Sequence, residues 1–93
     1  MKLVVTASFK RAYKTLTRRN PKLKQTIANT LERLGNEPFD PTLRTHKLKG
    51  KLANSWACSL DYDRRIIFDI VLNPENQERE ILLIDIGSHD EVY

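Results

Sequence analysis

The sequence predicts an α+β fold: an N-terminal strand and a two-helix hairpin packed on a mostly antiparallel sheet of four to five strands. Three observations lead there. Apolar residues recur at helical spacing from Phe9 to Leu34, with one interruption at Asn20-Pro21. The rest of the chain carries four short apolar, β-branched runs. Brief segments of turn residues join those runs, and short connections imply antiparallel neighbours.

Lys2–Thr6 reads as a strand because it is β-branched and has no helix cap. Phe9, Tyr13 and Leu16 then fall on one helical face, with Ser8 as the expected N-cap. At Asn20-Pro21 one helix ends and another begins: Asn20 accepts from freed N–H groups, and Pro21 suits the first helical position, where a missing donor costs nothing. Leu23, Ile27, Leu31 and Leu34 continue at helical spacing until Gly35 ends the run. Pro38 and Pro41 bracket an irregular segment, Asn36–Pro41. Strands are expected at Arg44–Leu48, Trp56–Leu60, Arg65–Leu72 and Glu80–Ile86, with turns at Gly50–Ser55 and Asn73–Gln77. In the third of these, Ile66, Phe68, Ile70 and Leu72 alternate with Arg65, Ile67, Asp69 and Val71, so both faces are at least partly covered, one by the hairpin. In the fourth, Leu82, Ile84 and Ile86 are expected on one side. No repeat, linker or low-complexity tract divides the 93 residues, so a single domain over residues 1–93 is expected.

An apolar fraction of 40% and only three glycines exclude a disordered or fibrous chain. The lone cysteine, Cys58, excludes an intramolecular disulfide and fits a buried small residue in a reducing compartment. The N-terminus lacks the apolar stretch of a secretory signal, and no segment approaches the ~20 apolar residues of a membrane span. A cytoplasmic protein is therefore expected. The net charge of +4 is moderate, but its distribution is not even. Residues 1–51 hold thirteen lysines and arginines against Glu32, Glu37 and Asp40, while the second half is net negative. Such asymmetry favours a polyanion such as nucleic acid, or an acidic protein partner.

There is no Gly-rich phosphate loop, no serine elbow, no HExxH and no Cys/His ligand set. The chemistry left is that of imidazole, guanidinium, carboxylate, amine and phenol groups. These are the groups that cleave RNA without a metal: a base takes the 2′-hydroxyl proton, cations stabilise the charged transition state, and an acid protonates the leaving 5′-oxygen. Two histidines, His46 and His89, sit among polar or basic neighbours and titrate in the useful range, although a lone surface histidine is ordinarily inert. Arg64 and Arg65 open the longest strand, where each suits either a bidentate phosphate contact or a surface ion pair with Asp61 or Asp63. Tyr93 is either a stacking and proton-donating phenol or an unordered end.

The order His46-x-Leu48-x-Gly50, Trp56, Asp61-Tyr62-x-x-Arg65-Ile66-Ile67-Phe68 and Ile86-Gly87-Ser88-His89-Asp90-Glu91-Val92-Tyr93 resembles the RelE/ParE superfamily of type II toxins over nearly the whole chain. The C-terminal motif is the most specific part. This resemblance implies a fold like that of the microbial ribonucleases and, in the RelE branch, cleavage of messenger RNA in the ribosomal A site to leave a 2′,3′-cyclic phosphate. It also implies a cognate antitoxin that covers or distorts the site, and contact with operator DNA only through that antitoxin. No cofactor, metal or membrane is implied. His46, Asp63 and His89 match site residues of YafQ-like members, although Ser59 stands where those members carry a further catalytic histidine. Arg65 and Tyr93 match the phosphate-binding arginine and terminal tyrosine of RelE-like members. The chain thus mixes two subgroups.

The expected catalytic set is His46 as base, His89 as acid or phosphate-orienting group, Arg65 as charge stabiliser, Asp63 orienting a histidine, and Tyr93 stacking or assisting proton transfer. Lys47, Lys49 and Arg64 are the expected substrate-binding cations. Lys10, Arg11, Lys14, Arg18, Arg19, Lys22 and Lys24 on the hairpin suit either ribosomal RNA phosphates or an acidic antitoxin. Two other functions fit the same family: inhibition of DNA gyrase, as in ParE-type members, and a catalytically inactive co-repressor.

Overall fold

The computed structural model describes residues 1–88. Strand β1 (Lys2–Val5) leads into helices α1 (Ala7–Arg19) and α2 (Leu23–Asn36). A 3₁₀ turn at Pro41–Leu43, strand β2 (His46–Lys47), a second 3₁₀ turn at Gly50–Leu52, and strands β3 (Trp56–Ser59), β4 (Arg64–Leu72) and β5 (Arg79–Ser88) follow. The five strands form one sheet in the order β1-β5-β4-β3-β2. Only the β1–β5 pair is parallel: the helical hairpin returns the chain to the end where β1 finished, β2 runs back from there, and three antiparallel pairings then bring β5 into the direction of β1. The expected α+β class and mostly antiparallel sheet are both found.

The helices pack on one face of the sheet. Phe9 of α1, and Leu23, Ile27 and Leu34 of α2, close over Cys58, Leu60, Ile66, Phe68, Ile81, Leu83 and Ile86. The opposite face holds a smaller cluster of Leu48, Ala57 and Ile67, with Ile84 against it. Both sides of β4 are therefore covered, and this accounts for its unbroken apolar centre.

Several boundaries differ from expectation, each for a local reason. Thr6 caps α1 in place of Ser8: its Oγ1 accepts from the Phe9 N–H at 3.1 Å while donating to the Leu83 carbonyl at 2.6 Å. The Ser8 hydroxyl donates instead to the Ile84 carbonyl at 2.6 Å, so both hydroxyls tie α1 to β5. Helix α2 begins at Leu23, two residues after Pro21, because the N–H groups of Leu23 and Lys24 bond to the carbonyls of Asn20 and Pro21 in an intervening turn. Gly35 does not stop α2, which runs to Asn36. The N-terminus packs on this last turn, with the Met1 ammonium donating to the Gly35 carbonyl at 2.5 Å.

Strand β2 has two residues where five were expected. Asp40 caps the 3₁₀ turn through the Thr42 N–H, and Arg44 closes it in the left-handed region at φ 51°, a conformation outside any strand. In β5 the expected grouping of Leu82, Ile84 and Ile86 fails at a β-bulge. Phe68 pairs with Leu83 but Ile67 pairs with Asp85, leaving Ile84 as the extra residue. Ile81, Leu83 and Ile86 therefore all reach the helix-side core, and Ile84 joins the opposite cluster.

Cys58 is fully buried in the helix-side core. Burial pushes its thiol up from 9.0 to about 12, and the guanidinium groups of Arg33 and Arg65 offset this only in part. An unfolded chain releases that proton near pH 9 while the folded chain keeps it. Stability therefore falls as pH rises from about 9 toward 12, by up to about 4 kcal/mol from this group alone. Urea melts of the protein and its Cys58→Ala variant across that range will show the two stabilities converging or crossing. A constant gap between them would mean the thiol does not contribute.

Candidate functional site

Register decides which side chains share a surface. Strand β2 sets His46 beside Ala57, and the β3–β4 pairing sets Ala57 beside Ile67 and Ser59 beside Arg65. Cross-strand partners share a face, as do residues two apart on one strand. His46, Ser59 and Arg65 therefore stand with Ala57 and Ile67 on the face away from the helices. The Cα atoms of His46 and Arg65 are separated by two strand spacings of ~4.8 Å and one two-residue step of ~6.7 Å, roughly 12 Å in all. Gly87 pairs with Arg65 on its other side, so the end of β5 lies beside the arginine.

His46 is exposed, and its Nδ1 lies 3.1 Å from the Arg44 carbonyl. A carbonyl only accepts, so Nδ1 is the donor of this bond and carries a proton. The left-handed corner at Arg44 thus holds the Nδ1 edge of the ring and turns Nε2 away from it. The Arg65 Nη1 donates to the carbonyls of Asp61 at 3.3 Å and Arg64 at 3.0 Å. Both protons of Nη1 are used there, and the Nε–Nη2 edge remains as a two-donor fork with no acceptor among the described residues.

The other expected residues lie elsewhere. Lys47 pairs with Trp56 on the helix-side face, its Nζ 5.6 Å from the indole centroid, and so points away from His46. Lys49 is exposed beyond the end of β2. Arg64 makes an ion pair with Asp61 at 3.0 Å, the only one among the described residues. Burial works to raise the Asp61 carboxyl, but the N–H groups of Arg64 and Asp63 and the Arg64 guanidinium outweigh it and hold the group below the ordinary aspartate range. Arg64 and the exposed Asp63 line a cleft of about 650 Å³ beside α1, together with Arg11, Arg19, Asp85 and Ser88. The register that unites His46 with Arg65 thus separates both from Arg64 and Lys47. His89 and Tyr93 lie outside the described residues.

A second cleft, about 590 Å³, opens at the β3–β4 hairpin and is lined by Arg33, Thr42, Arg44, Ser59, Leu60, Asp61, Tyr62 and Arg65. Arg33 and Arg44 are far apart in sequence and belong to different elements, so only their place in the general positive charge of the first half marked them beforehand. Among the described residues no helix is long and apolar enough to cross a membrane, and no cluster of three or more His, Cys, Asp or Glu residues is suited to a metal ion.

Several solved toxins share this fold. The YoeB/ParE toxin from Agrobacterium tumefaciens superposes with a TM-score of 0.76 at 22% identity, covering 96% of this chain and 99% of its own. YafQ from E. coli strain BL21(DE3) gives 0.78 at 13% identity, covering 99% and 97%. A chain of the E. coli DinJ–YafQ complex gives 0.69 at 12% identity with the same coverage. At these identities the likeness establishes the fold alone, two helices packed on a five-stranded mixed sheet as in the YoeB/ParE and YafQ structures. The sequence itself goes further: over residues 1–93 it matches the YafQ family of bacterial toxins of type II toxin-antitoxin systems, and the chain belongs to that family. None of the curated protein sequences matches it.

Proposed function

We propose that this toxin is an endoribonuclease that cleaves messenger RNA in the ribosomal A site by attack of the 2′-hydroxyl, with side chains alone supplying base, acid and charge stabilisation. The observation that carries this reading is the common face of His46 and Arg65, a roughly 12 Å Cα separation that two long side chains bridge around one nucleotide. His46 Nε2, with Nδ1 held by the Arg44 carbonyl, takes the 2′-hydroxyl proton. The oxygen attacks the adjacent phosphorus, and the open Nε–Nη2 edge of Arg65 stabilises the charge that builds on the phosphoryl oxygens. The 5′-oxygen leaves with a proton from His89, and a 2′,3′-cyclic phosphate remains. Tyr93 stacks on a flanking base or assists that transfer, and Lys49 adds positive charge at the rim. Arg64 and Asp63 act through the hairpin turn and the cleft beside α1.

The second partner in this reading is a cognate antitoxin. The E. coli DinJ–YafQ complex supports such a pairing, and the basic outer faces of α1 and α2 suit acidic antitoxin segments. The chain acts as a single domain in the cytoplasm.

Expressing the chain without an antitoxin and mapping RNA 5′ ends by primer extension tests the activity. New ends are expected within translated reading frames and not on the same messages lacking a start codon, while purified gyrase keeps its supercoiling activity. Intact messages with inhibited gyrase would transfer the reading to the ParE-type function. Intact messages with normal growth would leave a toxin without nuclease activity.

A further inference from the structure

The cleft at the β3–β4 hairpin takes part in the proposed cleavage only through Arg65. Three guanidinium groups line it from three elements: Arg33 from the last turn of α2, Arg44 from the left-handed corner before β2, and Arg65 from β4. The one acidic lining residue, Asp61, is already committed to the Arg64 guanidinium and to the N–H groups of Asp63 and Arg64. No carboxylate pairs with Arg33, Arg44 or Arg65 among the described residues. Asp40 lies within electrostatic reach of Arg33 through Thr42 but makes no direct ion pair with it. Three guanidinium groups thus share one indirect counter-charge; they repel one another, and an anion relieves that repulsion.

The cleft is also built rather than incidental. Arg33 Nη1 donates to Thr42 Oγ1 at 3.1 Å, and that hydroxyl donates in turn to Asp40 at 2.7 Å, which holds the guanidinium at the cleft wall. Arg44 takes a backbone conformation that glycine or asparagine adopts more readily. At the lip Tyr62 is 100% exposed, a whole aromatic ring turned to solvent with nothing packed on it. The Arg44 corner connects this cleft to His46, since its carbonyl orients the imidazole while its side chain lines the cleft.

We propose that the cleft is a second phosphate-binding position for the RNA chain, adjacent to the scissile phosphate, in which Arg33 and Arg44 hold a flanking phosphate and Tyr62 stacks on a base. The identity of the polyanion rests on the ribonuclease reading. An exposed aromatic ring beside guanidinium forks is the pairing that binds single-stranded nucleic acid, where the ring stacks on a base while the forks hold the adjoining phosphates.

The test is titration of the purified protein with a labelled, unstructured 2′-O-methyl RNA, whose blocked 2′-oxygen cannot attack, so that binding is read without cleavage. The double variant Arg33→Gln/Arg44→Gln is expected to bind at least ten-fold more weakly. Its slope of log affinity against log salt should be lower by about 0.7 for each phosphate that the variant no longer neutralises. Tyr62→Ala, at a position with no packing to lose, is expected to weaken binding by about five-fold or more. RNA affinity and salt slope unchanged in all variants would overturn the proposal. So would a double variant that keeps RNA affinity but loses binding to polyglutamate, which would make the cleft a docking site for an acidic protein. If the arginines govern RNA affinity but the unmodified RNA is not cut on translating ribosomes, the second phosphate position stands and the ribonuclease reading falls.

Discussion

Replacing Arg65 with glutamine is expected to lower the rate of message cleavage by about a hundred- to a thousand-fold. The magnitude follows from what the side chain has left to give. Two of its five N–H groups bind the carbonyls of Asp61 and Arg64, which fixes the plane of the guanidinium before any substrate arrives. The remaining fork is then preorganised for charge that appears only as the phosphorus becomes five-coordinate, so the loss falls on kcat more than on KM. Arg65→Lys keeps the charge but has neither the fork nor the two tethering bonds, and should recover only a small part of the rate. His46→Ala should cause a comparable loss, about a hundred-fold or more, if Nε2 serves as the proposed base, with Nδ1 held by the Arg44 carbonyl. Single-turnover cleavage of a translated message measures all three. Full activity in both Arg65→Gln and His46→Ala would remove the proposed mechanism.

Much of this geometry was legible in the sequence because it depends on local patterns. The helical hairpin follows from the spacing of Phe9, Tyr13 and Leu16 and of Leu23, Ile27 and Leu34, and the sheet from apolar runs separated by turn chemistry. The shared face of His46 and Arg65 was not legible, because it depends on register, and the register of β2 depends on where Arg44 leaves the left-handed region. A five-residue strand from Arg44 would have implied a longer, regular pairing with β3. The bulge at Ile84 was hidden for a similar reason: strict alternation places Leu82, Ile84 and Ile86 together, and one extra residue reassigns Ile86 to the opposite face. Lys47 shows the limit of reading by proximity in sequence. It adjoins His46, yet a strand sends neighbouring side chains to opposite faces, and this one ends over Trp56. The arginine cleft needed tertiary structure altogether, since Arg33, Arg44 and Arg65 share no motif or spacing.

The sheet that carries these groups has its own point of greatest sensitivity. Phe68 is the largest fully buried side chain, at the centre of β4, paired with Trp56 on one side and Leu83 on the other. Phe68→Ala should remove about 3–5 kcal/mol, combining lost transfer energy with the cavity left behind. A chain of this length has about 5–14 kcal/mol in total, so the variant is expected to be partly unfolded near 37 °C, with a melting temperature lower by tens of degrees. This result separates two ways of losing activity. Phe68→Ala should lose cleavage in proportion to its unfolded fraction and regain it on cooling, because the face holding His46 and Arg65 survives in every molecule that folds. Arg65→Gln should melt close to the original protein and remain slow at every temperature. Equilibrium urea unfolding alongside cleavage at two temperatures distinguishes them. A Phe68→Ala protein that is fully folded yet inactive would mean that the helix-side core sets the geometry of the opposite face, and not merely its stability.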